Sequence, residues 1–127
     1  MKILLDTQTL ILIGQGQLPK RASEAYADID NEVFFSLVSL WEIGIKASLG
    51  KLKFKRKIAE YHDMLVEELD LSSLNIEAIH IQKAVGLPFH HKDPFDRLLI
   101  GQALTEGLSV LGSDSQFELY GCDRIWE

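Results

Sequence analysis

The stretch HHKDPFDRLLIGQALTEG, His90 to Gly107, decides the predicted fold of this chain. Asp93 has the short acceptor side chain of a helix N-cap, Pro94 suits the first helical position, and Asp96 falls at the third. Apolar residues then recur at helical spacing and give the helix a buried face: Phe95, Leu98, Leu99, Ala103 and Leu104. Because that face fixes the orientation of the helix, we predict that its acidic first turn forms one wall of a metal-binding pocket. The alternative is that both acids only stabilise the positive end of the helix dipole, at about 0.5–1 kcal/mol each.

A further acid follows the first apolar run of the chain. Lys2 to Leu5 has the composition of a short, buried parallel strand, and Asp6 comes directly after it, at the start of a helix predicted to reach Ile13. In open α/β sheets, ligands bind outside the carboxyl ends of the strands. Asp6 is therefore a candidate ligand-binding residue. The alternative is that it only caps the helix that follows.

The last strongly apolar run has the same arrangement. Leu108 to Gly112 predicts another buried strand, and the chain then leads into Asp114. Asp114 would lie at the same edge of the sheet as Asp6. The alternative is again a helix cap, since Ser113 to Gln116 matches the Ser-x-x-Gln pattern.

Glu42 is the only charged side chain between Val33 and Ile45. If the helix begins at Ser39, apolar residues coat most of its circumference: Leu40, Trp41, Ile43, Ile45, Ala47 and Leu49. Ser39, Glu42 and Lys46 then share one polar stripe, which we expect to line a cleft because a buried carboxylate needs a partner to stay charged. The alternatives are a capping box between Ser39 and Glu42 and a charge pair between Glu42 and Lys46.

Length and composition predict a single domain over residues 1–127. Hydrophobic residues make up 46% of the chain, which is enough to bury a core at this length. No apolar run is long enough to span a bilayer and no signal-peptide pattern opens the chain, so we expect no membrane partner and a cytoplasmic location. Cys122 is the only cysteine, which excludes an internal disulfide and argues against a cysteine-based zinc site.

Basic residues are clustered although the net charge is −6. A negative sum disfavours general attraction to phosphate backbones, but local distribution matters more than the sum. After Lys46, residues 51–57 contain Lys51, Lys53, Lys55, Arg56 and Lys57. This run is either a solvated surface or a contact for a polyanion.

The remaining segments predict scaffold elements. Helical patterns cover residues 56–69 and 76–85, the latter with Ile76, Ile79 and Ala84 inward, and short strands are indicated at 33–35 and 124–126. We interpret His62 and His80, which lie on these helices, as surface residues. His90 and His91 lie beside the acidic turn and could contact metal or phosphate, but nothing spaces them as ligands.

Alternating strands and helices predict an α/β fold with a parallel central sheet flanked by helices. Right-handed crossovers bring strand C-termini and the N-termini of the following helices to one edge. Four carboxylates can then meet in one crevice: Asp6, Glu42, Asp96 and Asp114. Crowding unpaired carboxylates raises their pKa values and costs stability, so the grouping indicates a divalent cation. Oxygen donors favour Mg²⁺ or Mn²⁺, and such an ion can activate water against a phosphodiester.

Taken together, these motifs resemble those of PIN-domain ribonucleases, in particular the VapC-type toxins of bacterial type II toxin–antitoxin pairs. The resemblance covers essentially the whole chain, with HHKDPFDRLLI as its most specific string. It rests on ILLDT at 3–7, SLWEIGIK at 39–46, LPFHHKDPFDRLLIGQA at 87–103 and SVLGSDSQF at 109–117.

The resemblance implies a PIN-like three-layer sandwich that cleaves RNA with Mg²⁺, forms a homodimer and is inhibited by a small cognate antitoxin whose tail enters the acidic groove. It assigns metal binding and catalysis to Asp6, Glu42, Asp96 and Asp114, with Asp93 as an extra acid nearby. Lys46 and the basic run at 51–57 would contact the RNA backbone or an acidic part of a partner.

Three positions depart from the usual pattern of this family. Gln8 and Gly112 stand where the family often has His and Thr, so Ser113 or Ser115 would have to supply the missing hydroxyl. Gly101 replaces a usual Ala and would lower helix stability by up to about 1 kcal/mol. None of the three departures removes an acid.

Two other functions compete with a nuclease. One is a PIN fold that serves as a non-catalytic binding module, with acids that bind metal weakly or only cap helices. The other, an aspartate phosphatase or phospho-receiver domain, is disfavoured because Gln8 stands where such phosphatases carry a second Asp. No Lys after a late strand completes a receiver site.

Overall fold

Five parallel strands form the centre of the protein in the computed structural model, which describes residues 1–127. They are β1 (Lys2–Leu5), β2 (Glu32–Ser36), β3 (Ser72–Leu74), β4 (Ser109–Leu111) and β5 (Arg124–Ile125). Their order is β3-β2-β1-β4-β5, with every neighbouring pair parallel. The predicted parallel sheet is confirmed. Its order reverses between β1 and β4, and such a switch point is where open α/β sheets form their ligand crevice.

Helices cover both faces of the sheet and complete a three-layer sandwich. They are α1 (Thr7–Ile13), α2 (Lys20–Ala27), α3 (Leu37–Ser48), α4 (Ile58–Glu67), α5 (Ala78–Val85) and α6 (Pro94–Glu106), and a 3₁₀ helix spans Ser115–Tyr120. Successive side chains of β1 point to opposite faces of the sheet and so contribute to two separate apolar cores. Ile3 and Leu5 belong to one core and Leu4 to the other. None of these helices is both long and apolar enough to cross a membrane.

α6 forms as the sequence predicts. The Asp93 side chain accepts hydrogen bonds from the backbone N–H groups of Phe95 (2.9 Å) and Asp96 (3.4 Å). The helix ends at Gly107, whose positive φ of 67° is the left-handed conformation that glycine adopts without strain. The buried face also contains Arg97 and Gln102, which the apolar pattern did not indicate.

α3 begins two residues earlier than predicted. Ser36, rather than Ser39, is the N-cap, and its side chain accepts a hydrogen bond from the backbone N–H of Val38 at 3.1 Å. Glu42 therefore lies in the second turn of the helix, and the predicted capping box between Ser39 and Glu42 does not form. The expectation of a helix buried nearly all round is also wrong, because Trp41 is 59% exposed and Leu49 63% exposed. Only part of the α3 circumference is therefore buried.

α5 differs from its prediction in start and orientation. It begins at Ala78 rather than Ile76, and Ile79, predicted to face inward, is exposed. His80 is buried, so its interpretation as a surface residue is wrong. Its Nδ1 accepts a hydrogen bond from the backbone N–H of Glu77 at 3.0 Å, which caps the helix. His62 is partly buried, with Nε2 3.1 Å from the hydroxyl of Ser73.

Gly101 is where α6 approaches α5 most closely, and we expect Gly101→Ala to destabilise the protein. A Cβ at this position would lie 2.8 Å from the carbonyl oxygen of His80 and 3.1 Å from the backbone nitrogen of Ala84. The helices would have to separate, and overpacking of this kind typically costs about 1–3 kcal/mol. That cost exceeds the gain of about 1 kcal/mol in helix propensity. Urea unfolding of the two proteins measures the difference.

Gly44→Ala in α3 is the matched control, because a Cβ there would meet only the Ile58 side chain at 3.6 Å, an ordinary contact. This variant should be neutral or more stable than the wild type. Equal stabilisation by both substitutions would contradict the close packing of α5 and α6.

Candidate metal centre

Asp6 lies at the switch point of the sheet, directly after β1. Its backbone N–H donates to the carbonyl oxygen of Leu111 at 3.2 Å, and its Oδ1 accepts from the backbone N–H of Thr9 at 2.8 Å. The cap thus uses Oδ1 and leaves Oδ2 available. Oδ2 lies against Gly112, where a Cβ would overlap it and would stand 2.8 Å from Cγ. Gly112 therefore does more than remove a hydroxyl, since it makes room for the Asp6 carboxylate.

Asp114 follows β4 and caps the 3₁₀ helix. Its Oδ1 accepts from the backbone N–H of Gln116 at 2.9 Å, while its Oδ2 lies 3.2 Å from Nε2 of His91. The cap is Asp114 itself and not Ser113, as the Ser-x-x-Gln pattern had suggested. Ser113 and Ser115 are exposed and neither hydroxyl is hydrogen-bonded to an acid, so nothing supports them as substitutes for the missing hydroxyl.

Asp96 enters the same region from the first turn of α6. Its Oδ2 lies 2.8 Å from Nε2 of His91, so the imidazole stands between Asp96 and Asp114. Side-chain donor atoms of these three residues all lie within 4.8 Å of one another. Asp93 is adjacent but already uses Oδ1 to cap the helix.

Glu42 presents a buried carboxylate from α3. Its side chain is 5% exposed, and Oε2 lies 2.7 Å from Nζ of Lys46, which is the predicted charge pair. Oε1 is buried and has no hydrogen-bond partner. A buried acceptor without a partner costs about 1–3 kcal/mol, and more when it is charged.

Nearby, Ser39 is buried and accepts a hydrogen bond from Oγ1 of Thr7 at 2.9 Å, which ties α1 to α3.

The acids influence one another electrostatically. Burial raises the pKa of Asp6, hydrogen bonds with Thr9 oppose the rise, and the charges of Asp114 and Glu42 add to it. Burial and the charge of Asp93 raise the pKa of Asp96 to about 7, with His91 acting in the opposite direction and Asp6 and Glu42 adding to the rise. The four predicted acids therefore form one electrostatic cluster, within which the ligand atoms that lie within 4.8 Å of one another belong to His91, Asp96 and Asp114.

This cluster fits a divalent cation. Burial is the main cause of the raised pKa values of Asp6 and Asp96, and the neighbouring negative charges add to the rise, so a bound cation would stabilise the ionised carboxylates. Lys46 pairs with one oxygen of Glu42 and leaves the other without a partner. Oxygen-rich, anionic sites of this kind match the preferences of Mg²⁺ and Mn²⁺.

A family model described as PIN domain matches residues 3–121. The chain belongs to the PIN domain family. The acids described above therefore lie at the switch point of a PIN-domain sheet. A search of curated proteins finds no significant match.

Solved structures with the same fold as this PIN domain include toxin–antitoxin complexes. VapBC2 from Rickettsia felis, bound to a DNA fragment from its promoter, is 16% identical with a TM-score of 0.67, covering 98% of this chain and 97% of that one. DNA-bound VapBC from Salmonella typhimurium is 22% identical with a TM-score of 0.65, covering 98% and 96%. FitAB bound to a DNA fragment is 16% identical with a TM-score of 0.64, covering 96% and 92%.

Two residues of this PIN domain were missed or undervalued in the sequence. His91 lies between two of the acids, although no ligand spacing pointed to it. Arg97 was hidden inside an apolar helix pattern and is buried. The signal that could have found both is their position within HHKDPFDR, where His91 stands two residues before Asp93 and Arg97 directly follows Asp96.

The basic run lies apart from these acids. Lys53, Lys55 and Arg56 border a groove with an apolar floor between α1 and α4. Leu10, Leu52, Phe54, Tyr61 and Leu65 are among the residues that line this groove. The run is therefore exposed, and it combines positive charge with an adjacent apolar surface.

Proposed function

We propose that this PIN domain is a metal-dependent endoribonuclease and the toxin of a type II toxin–antitoxin pair. The observation that carries the proposal is the acidic cluster, in which Glu42 keeps a buried oxygen without a partner. Helix capping explains each Asp separately, but it does not explain why several of these acids lie near the buried carboxylate of Glu42. A cation shared by the acids gives each of them a partner.

The proposed roles follow the geometry. Asp6, Asp96 and Asp114 would hold the ion, with Glu42 binding directly or through water. When bound, the ion would activate water and neutralise charge on the phosphodiester. The caps on Oδ1 of Asp6 and Asp114 fix both carboxylates before any ion arrives.

Proton transfer and substrate contact fall to α3 in this proposal. Glu42 would act directly or through a bound water, and that water would be the in-line nucleophile. Lys46 is 46% exposed and can contact a backbone phosphate while its Nζ remains near Glu42. Its pKa is raised, chiefly by the hydrogen bond to Glu42, so it stays charged.

The proposed partners are RNA, a cognate antitoxin and a second copy of the chain, in the cytoplasm. The structural neighbours are toxin–antitoxin complexes, which supports an antitoxin partner. The groove bordered by Lys53, Lys55 and Arg56 suits an amphipathic segment that carries acidic residues. Single-stranded or looped RNA is the proposed substrate class.

The test is cleavage of an end-labelled, structured RNA by the purified protein with Mg²⁺, with Mn²⁺ or with EDTA. We expect internal cleavage with either metal and none with EDTA. Cleavage that persists in EDTA, or no cleavage of any RNA offered with metal, would count against the proposal.

A non-catalytic binding module is the competing function, because Asp6, Asp93 and Asp114 each serve as caps. Thermal melting with Mn²⁺ helps to separate the two. A cation bound only by the folded state must raise the midpoint. A melting midpoint that does not change with Mn²⁺, together with no RNA cleavage, would favour the non-catalytic binding module.

A further inference from the structure

Arg97 is a buried guanidinium without a carboxylate partner. Its Nη1 donates to the carbonyl oxygens of Pro88 (2.8 Å) and His91 (3.2 Å). Its Nη2 donates to those of Ala84 (3.1 Å) and Leu87 (2.9 Å). A buried charge requires such partners, and here they are four backbone carbonyls from the end of α5 and the loop before α6, with the Tyr120 hydroxyl 3.5 Å from Nη1. Arg97 therefore fixes the path of the chain into His91.

Tyr120 fixes the same segment from the 3₁₀ helix. Its hydroxyl accepts from the backbone N–H of His91 at 2.7 Å and donates to the carbonyl oxygen of Pro88 at 2.8 Å. The His91 ring also packs edge-on against Phe117, with 6.4 Å between ring centroids. The position of His91 is thus set by the protein on two sides.

The His91 imidazole spans two acids from different elements. Nε2 lies 2.8 Å from Oδ2 of Asp96 and 3.2 Å from Oδ2 of Asp114. Nδ1 accepts the backbone N–H of Asp93 at 3.4 Å, and this contact assigns a ring hydrogen to Nε2, which faces the two acids. Neither Nε2 contact has the alignment of a full hydrogen bond, and one N–H facing two acceptors cannot be linear to both.

We propose that His91 is a positioning residue that holds the Asp96 and Asp114 carboxylates in register for the divalent ion. The inference rests on the proposed function. Asp96 is carried by α6 and Asp114 follows β4, so their relative orientation needs a link between the two elements. A carboxylate has about four lone-pair sites, so a contact at Oδ2 leaves capacity for an ion. Carboxylate ligands of metals are commonly oriented by such contacts.

Direct ligation by Nε2 is the competing role. An imidazole that binds a metal through Nε2 carries its hydrogen on Nδ1. In this structure, that hydrogen would face the backbone N–H of Asp93. The geometry therefore favours positioning over ligation.

The test compares Mn²⁺ affinity, measured from the EPR signal of free Mn²⁺, in the wild type, His91→Ala, His91→Gln and His90→Ala. We expect His91→Ala to bind Mn²⁺ about 10-fold more weakly. His91→Gln should keep most of the affinity, because its amide N–H reaches about as far as Nε2. His90→Ala is the matched control and should bind as the wild type does, since His90 is exposed and its ring only packs edge-on against Tyr120.

Each outcome separates this inference from the proposed function. A wild type that does not bind Mn²⁺ overturns both. Unchanged affinity in His91→Ala, with binding by the wild type, overturns the positioning role alone. Nitrogen modulation from a coordinated imidazole in pulsed EPR of the Mn²⁺ complex would make His91 a ligand instead. Melting without metal checks that each variant is folded. If His91→Ala is not folded, His91→Phe, which keeps a ring but has no N–H, replaces it and should bind Mn²⁺ about as weakly.

Discussion

Replacing Asp96 by asparagine is expected to lower metal-dependent RNA cleavage by about 10³-fold or more, with the fold intact. Asp6→Asn should have the same effect. Asparagine preserves the shape of each side chain, and at position 6 it can still cap α1 through Oδ1. In both variants it removes the negative charge that holds the cation. Because burial raises the pKa values of both carboxyls, the neutral amides should also make the metal-free protein as stable as the wild type or more stable.

Single-turnover cleavage and thermal melting in EDTA measure the two effects on the same preparations. Asp30→Asn is the control, because Asp30 is exposed and precedes β2, at the opposite edge of the sheet from the cluster. It should leave both quantities unchanged. Cleavage that survives in Asp6→Asn and in Asp96→Asn would remove the mechanism.

Without divalent ions, the protein should lose stability relative to Asp96→Asn as the pH rises from about 4 to about 7. The pKa of Asp96 is raised from 3.8 to about 7, so the folded state holds a proton that the unfolded state releases. The protonated Asp96 side chain contributes its full stabilisation below the pKa that it has in the unfolded chain. That stabilisation is lost as the pH rises through the pKa of Asp96 in the folded protein. One proton gives a slope of at most about 1.4 kcal/mol per pH unit.

Urea unfolding of both proteins in EDTA across this range isolates the contribution of Asp96. Mn²⁺ should reverse the trend, because the ion binds the ionised carboxylate and its apparent affinity rises towards pH 7. A difference in unfolding free energy that stays constant from pH 4 to pH 7 would show that Asp96 titrates as an ordinary acid.

The sequence was sufficient for the fold where local signals agree. Asp93, Pro94 and Gly107 give α6 a distinct start and end, and the apolar run Lys2–Leu5 before Asp6 was correctly predicted as a buried strand. It failed where burial depends on a distant element. Ile79 and His80 exchange their expected orientations because α5 packs on α6 through Gly101, which no periodicity within α5 reveals.

The candidate site follows the same division. Strand ends and helix starts located Asp6, Asp96 and Asp114, because parallel topology brings them to one edge. Glu42 was found as an isolated charge in an apolar helix, although its helix begins earlier than expected. His91 could not be placed from spacing, because its position depends on hydrogen bonds with Arg97 and Tyr120 that form only in the folded chain.

The most direct test of the account is anomalous diffraction from crystals grown or soaked with Mn²⁺. We predict one strong peak at the switch point of the sheet, within about 2.2 Å of carboxylate oxygens from Asp6, Asp96 and Asp114. Glu42 should lie beside it, directly or through one water. A cluster that stays empty at millimolar Mn²⁺, or a peak bound by other residues, would contradict the claim that these acids gather around a shared cation.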